Sequence, residues 1–80
     1  YAHHVVRFQR GEVLAEEALR QLIAEHGFSI ANMSYGMQDD GRTFEYRMVI
    51  RSRDRANVAQ LVNSWRSMKH GVIEFRIDPA

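Results

Sequence analysis

Cysteine is absent from this chain, so neither a disulfide nor a thiolate-held metal can staple the fold, and side-chain packing must hold it together. A charge imbalance is missing as well. Lys and Arg number 11 against 10 Asp and Glu, and a net charge of +1 creates no global field that would gather nucleic acid or an anionic membrane. No apolar run exceeds three residues, whereas a helix needs roughly 20 to cross a bilayer. No serine, threonine or lysine stands beside a histidine in a pattern that suggests an activated nucleophile. The 80 residues suffice for one core and not for two, so a single domain over 1–80 is expected. The chain opens at Tyr1 with no initiator Met, directly on a strand-like segment, which suggests a domain excised from a longer protein.

What is present is periodicity. Residues His3 to Arg10 set His4, Val6 and Phe8 against His3, Val5 and Arg7, a strand with Val6 and Phe8 inward. Gly11 breaks it, and from about Glu12 the positions Ala15, Leu19, Leu22, Ile23 and His26 recur at helical spacing. Glu12, Glu16 and Glu17 favour the amino end of that helix dipole, and His26 with Gly27 closes it. Phe28 to Met37 predicts a second strand, with Phe28, Ile30 and Asn32 on one side, Ala31, Met33, Tyr35 and Met37 on the other, and a bulge at Gly36. Asp40-Gly41 predicts a tight hairpin into a third strand.

That third strand, Thr43 to Arg51, organises the rest. Phe44, Tyr46, Met48 and Ile50 alternate with Thr43, Glu45, Arg47 and Arg51, so the apolar set belongs to the core and the charged set to a wet face. Ser52 or Asp54 caps a second helix with the stripe Val58, Leu61, Val62, Trp65 and Met68, ended by Lys69, His70 and Gly71. Val72 to Asp78 is a last strand with Ile73, Phe75 and Ile77 inward, stopped by Pro79. The order βαββαβ predicts an α+β, ferredoxin-like fold: a four-stranded antiparallel sheet, first and third strands central, with both helices on one face.

This order also serves RNA-binding modules, in which aromatics of the third strand stack bases on the open face. Turning Phe44 and Tyr46 outward would bury Glu45, Arg47 and Arg51 under the helices, at several kcal/mol each against roughly 1–3 kcal/mol per stacked base. No nucleic acid is therefore expected. No metal and no cofactor are expected either: His3 and His4 point to opposite faces, His26 and His70 serve helix ends, and Asp39 and Asp40 suit a turn. Arg47, Arg51, Arg53 and Arg55 lead into a helix start and could hold an anion, although a solvated rim is the plainer reading. Met33, Tyr35 and Met37 place apolar side chains on an edge strand. With Glu45, Arg47 and Arg51 on the open face they form the expected interface for a homodimer or a protein partner.

The segment Phe8-Gln9-Arg10-Gly11-Glu12-Val13-Leu14-Ala15, a glycine between first strand and first helix in a βαββαβ chain, resembles an ACT domain. That resemblance implies a small-molecule effector, an amino acid, bound at Gln9, Arg10, Gly11 and Glu12. Gln9 and Arg10 stand where an Asp-Pro pair is usual in that family. The segments Glu45 to Asp54 and Val72 to Pro79 resemble more closely the carboxy-terminal cytoplasmic domain of the MgtC/SapB family of bacterial inner-membrane proteins. Membership would imply a non-enzymatic, ACT-like regulatory tail of a magnesium-transport-related protein, on the cytoplasmic side of the inner membrane. Contact with the membrane would come only through spans upstream of Tyr1.

Overall fold

In the computed structural model, which describes residues 1–68 and 71–79, the chain forms β1 (Ala2–Gln9), a 3₁₀ turn (Arg10–Glu12), α1 (Glu16–Glu25), β2 (Ser29–Gln38), β3 (Thr43–Arg51), α2 (Ala56–Ser67) and β4 (Val72–Pro79). The strands make one antiparallel sheet in the order β2-β3-β1-β4. This is the α+β, ferredoxin-like arrangement that the periodicity predicts, with β3 and β1 in the centre.

The inward residues of the central strands fall where alternation puts them. His4, Val6 and Phe8 of β1 and Tyr46, Met48 and Ile50 of β3 are buried, and they meet Leu19 and Ile23 of α1 and Leu61 and Trp65 of α2. Phe8 stands at the middle of the aromatic packing, edge-on to Tyr46 and to Trp65 with ring centroids 6.1 Å apart in both cases. Truncating a buried aromatic of this kind costs about 3–5 kcal/mol, a large part of what a domain this size possesses.

Four local features depart from the sequence reading, and each has a physical cause. First, α1 begins at Glu16 and not near Glu12. The carbonyl of Leu14 accepts the Tyr46 hydroxyl at 2.7 Å, and Val13 and Leu14 pack against the core, which holds the lead-in extended. Ala15 thereby becomes an exposed N-cap and leaves the apolar stripe. Second, the bulge in β2 lies at Asn32–Met33, with Asn32 at φ 55°, and not at Gly36. Ile30, Met33, Tyr35 and Met37 consequently share the helix side. Third, β4 carries an extra residue opposite the step from Arg7 to Phe8, so Val72 turns inward and Ile73 is 49% exposed. Fourth, the β2–β3 turn centres on Asp39–Asp40, both at positive φ, with Gly41 after them. Two successive positive φ values are the signature of a turn whose twist matches a hairpin.

The helix ends are built as expected where they are described. His26 caps α1, its Nδ1 2.8 Å from the Leu22 carbonyl and its Nε2 2.7 Å from the Ser64 hydroxyl, and Gly27 follows at φ 85°. At the start of α2 Arg55 holds the N-cap position, the Asp54 carboxylate accepts the Ala56 amide at 2.9 Å, and Ser52 bonds no helix amide but braces the entry, accepting the Asp54 amide at 3.2 Å and the Asn57 side chain at 2.6 Å. The expected closure by Lys69 and His70 lies outside the described residues. Gly71 stands at φ 90°, where an added Cβ would come within 2.6 Å of the Glu12 carbonyl oxygen, so no other residue fits there without backbone movement.

Candidate functional site

Two regions gather the residues singled out above. The first is at the end of the sheet where β1 runs into the 3₁₀ turn beside the β2–β3 hairpin. The Gln9 amide donates to the Gly71 carbonyl and the Arg10 amide to the Arg42 carbonyl, each at 2.9 Å, which ties the turn to both neighbours. Gln9, Arg10 and Gly11 line a broad cleft of roughly 630 Å³ with Asp39, Asp40, Arg42, Thr43 and Ile73. Two guanidinium groups and two carboxylates give its rim balanced charge. Glu12 does not line it and lies instead against Gly71, so the fourth expected ligand residue is displaced from the other three. The Thr43 hydroxyl is buried and has no hydrogen-bond partner among the described residues.

The second region is β2 with the open face of the sheet, and here the structure divides the expected interface. Tyr35 pairs with Tyr46 and Met37 with Phe44, so these side chains stand on the helix side of the edge, 55% and 52% exposed. Met33 joins them and is half-buried against the core. Glu45, Arg47 and Arg51 occupy the opposite face. The six residues form no single patch.

Glu45 also corrects its own assignment. It is only 2% exposed, because Arg7 across the strand pair and Arg47 two residues on both hydrogen-bond it, Arg7 at 2.9 Å, and Gly36 pairs opposite it. Burial pushes its carboxyl up, but the hydrogen bonds from Arg47 and Arg7 outweigh that and hold it below the ordinary Glu range. Arg7 reaches on to Glu74 at 3.5 Å. Glu45 is therefore the buried hub of an ion cluster spanning three strands, and Arg47, Glu74 and, in part, Arg7 are the members that meet solvent. Arg51 packs over the Tyr1 ring, 5.5 Å from its centroid, and hydrogen-bonds its hydroxyl at 3.2 Å.

The anion reading of the arginine run meets an occupied helix start, since the Asp54 carboxylate already takes the first free amide of α2. Among the described residues no three of His, Asp and Glu converge as metal ligands, and no helix is long and apolar enough to cross a membrane. Phe44 and Tyr46 lie on the helix side, with Tyr46 4% exposed, so the open face carries no aromatic platform on β3.

Tyr35 is fixed in spite of its exposure. Its hydroxyl donates to Glu16 of α1 at 2.5 Å, Glu16 accepts Arg20 at 2.7 Å, and the ring lies 5.9 Å from Tyr46 and 6.4 Å from Phe44. The bond to Glu16 raises the Tyr35 phenol, and the same bond, ahead of the one from Arg20, lowers the Glu16 carboxyl.

One signal in the sequence went unused. The ten residues of β2 include no charged side chain and no proline, whereas β4, the other edge, carries Glu74, Arg76, Asp78 and Pro79. Charges and proline are the usual guards of a free edge. The sheet is guarded on one side only.

The fold and site together define an α+β, ferredoxin-like domain with an unguarded edge strand. No protein-family model matches the chain, and no curated protein matches it at a significant level.

Proposed function

We propose that this is a non-enzymatic interaction domain that works by self-association along β2. The observation that carries the reading is the contrast between the two edges: ten uncharged residues on β2, with Tyr35 and Met37 half out in solvent, against a charged, proline-ended β4. The similarity of residues 45–54 and 72–79 to the tails of MgtC/SapB-type inner-membrane proteins supports a regulatory role in a protein of that type, on the cytoplasmic side. Sedimentation equilibrium tests the association. A reversible dimer is expected, and Met37→Lys, at an exposed position, should weaken it at least tenfold, roughly 1.4 kcal/mol. A strict monomer at millimolar concentration removes the reading.

A second reading rests on the cleft beside Gly11, whose lining includes Arg10, Arg42, Asp39 and Asp40, both charges that a small zwitterion needs. It makes the domain an amino-acid sensor of ACT type, attached to a metabolic enzyme or regulator. Adding amino acids should then shift the amide resonances of Gln9 to Leu14. A flat titration across the common amino acids counts it out.

A further inference from the structure

Self-pairing of an antiparallel edge about a two-fold axis needs a segment that reads alike from both ends, because each residue meets the one placed symmetrically across the axis. Met33-Ser34-Tyr35-Gly36-Met37 has that property: large apolar, small, aromatic, small, large apolar. We infer that two copies of this chain pair antiparallel through this segment, with the axis at Tyr35. The proposal rests on self-association along β2 and adds its register.

The structure supplies what this register needs. The bulge at Asn32–Met33 interrupts β2, so regular pairing with β3 resumes at Ser34 and runs to Gln38; Tyr35 lies within that stretch and Met33 at its bulged end. The same bulge sets Met33, Tyr35 and Met37 on the helix side and Ser34 and Gly36 on the open side. In the dimer, Met33 faces the partner's Met37 and the two Tyr35 rings meet, closing an apolar row beside both copies of α1. Small residues meet on the other face, where Ser34 opposes the partner's Gly36 and neither obstructs approach. With no charge on either strand, no like-charge pair forms at any position. Tyr35 is already held by Glu16, Phe44 and Tyr46, so little side-chain freedom is lost when it is covered. Along β4 the same pairing would have to order the charged side chains of Glu74, Arg76 and Asp78, and Pro79 removes a donor at its end.

The absence of native cysteine makes the test direct. Directly opposed residues in an antiparallel pair have Cα atoms about 4.5–5.5 Å apart, within disulfide range, whereas diagonal neighbours stand about 7–8 Å apart and exceed it. A mixture of Ser34→Cys and Gly36→Cys chains should therefore cross-link to each other at least tenfold faster than either chain does to itself. Gly36 accepts a side chain, since an added Cβ meets only the Glu45 side chain at 3.5 Å or more. Tyr35→Cys, on the axis, should cross-link to itself and serves as the second probe. A sedimenting dimer in which Ser34→Cys or Gly36→Cys prefers its own kind overturns the register and leaves edge pairing standing. A dimer with no cross-link from any of the three, or a monomer throughout, overturns both.

Discussion

His4 should make this domain lose stability as the pH falls through the histidine range, well before its carboxylates respond. The side chain is fully buried on the helix side of β1, its Nε2 3.1 Å from the Trp65 indole nitrogen and its Nδ1 2.8 Å from the Arg76 carbonyl oxygen. The indole N–H can only donate and the carbonyl can only accept, so the ring is the neutral tautomer with its proton on Nδ1. A second proton on Nε2 would confront the indole N–H at a fully buried position. Burial accordingly pushes His4 below its ordinary value of 6.5, and the Arg76 carbonyl only partly opposes the shift. In the unfolded chain His4 titrates near that ordinary value. Above it neither state binds the proton, and stability is complete. Below it the unfolded state binds a proton that the folded state refuses, and stability falls by up to about 1.4 kcal/mol per pH unit until the folded-state value is reached. For a domain with about 4–12 kcal/mol in hand, that is about 4–8 °C of Tm for each kcal/mol lost. Urea unfolding at pH 7.5 and pH 5.5 measures it, with the single, buried Trp65 as the fluorescent probe. His4→Gln keeps an acceptor for the indole and removes the titration, so the variant should be less stable at pH 7.5 yet nearly flat between the two pH values. Equal losses in the parent and in His4→Gln would refute the reasoning.

The Glu45 cluster gives the complementary window. Its carboxyl is held low, so its contribution is complete above the ordinary Glu range and disappears as pH falls through the lowered folded-state value; Glu45→Gln should cost about 1–3 kcal/mol at pH 7 and flatten the acid limb of a stability profile. Tyr46→Phe, which frees the Leu14 carbonyl, should cost about 1 kcal/mol and show in hydrogen exchange as faster opening of residues 13–16. Gly71→Ala should destabilise by more than about 1 kcal/mol in the same urea assay, since it combines a positive φ with a 2.6 Å approach to the Glu12 carbonyl; a neutral result would show that the β4 entry relaxes freely.

The fold was legible because its central strands alternate cleanly and its helices carry single apolar stripes. The burial of Tyr46, Met48, Ile50, Leu61 and Trp65 follows from period alone. What was not legible depends on partners distant in sequence. The late start of α1 is set by the Tyr46 hydroxyl, 32 residues away, and nothing local to Glu12 announces it. Glu45 looked like one more wet charge, and its burial needs Arg7, 38 residues upstream, to be its neighbour across the sheet. Gln9, Arg10 and Gly11 were singled out only through the resemblance to an ACT domain, and the hairpin sets Arg42, Asp39 and Asp40 beside them on one cleft.

The bulge at Asn32 is the detail on which the binding reading turns. Strand parity is all or nothing, and one extra residue moves every later side chain to the other face. Continued from Ile30 without interruption, alternation would have sent Asn32, Ser34 and Gly36 under the helices and placed Tyr35 and Met37 on the open face beside Glu45 and Arg47. Asn32 prevents this because asparagine tolerates a positive φ better than most side chains, and here it adopts 55°. Met33, Tyr35 and Met37 thereby come to the helix side, where Glu16 can hold the tyrosine and the core can hold the methionine. The open face keeps only small β2 residues above the ion cluster. The same residue also shortens the regular edge, and a short edge limits open-ended strand addition. An edge without charges is ordinarily an aggregation hazard, and cutting it to a few residues beside an anchored tyrosine limits that hazard.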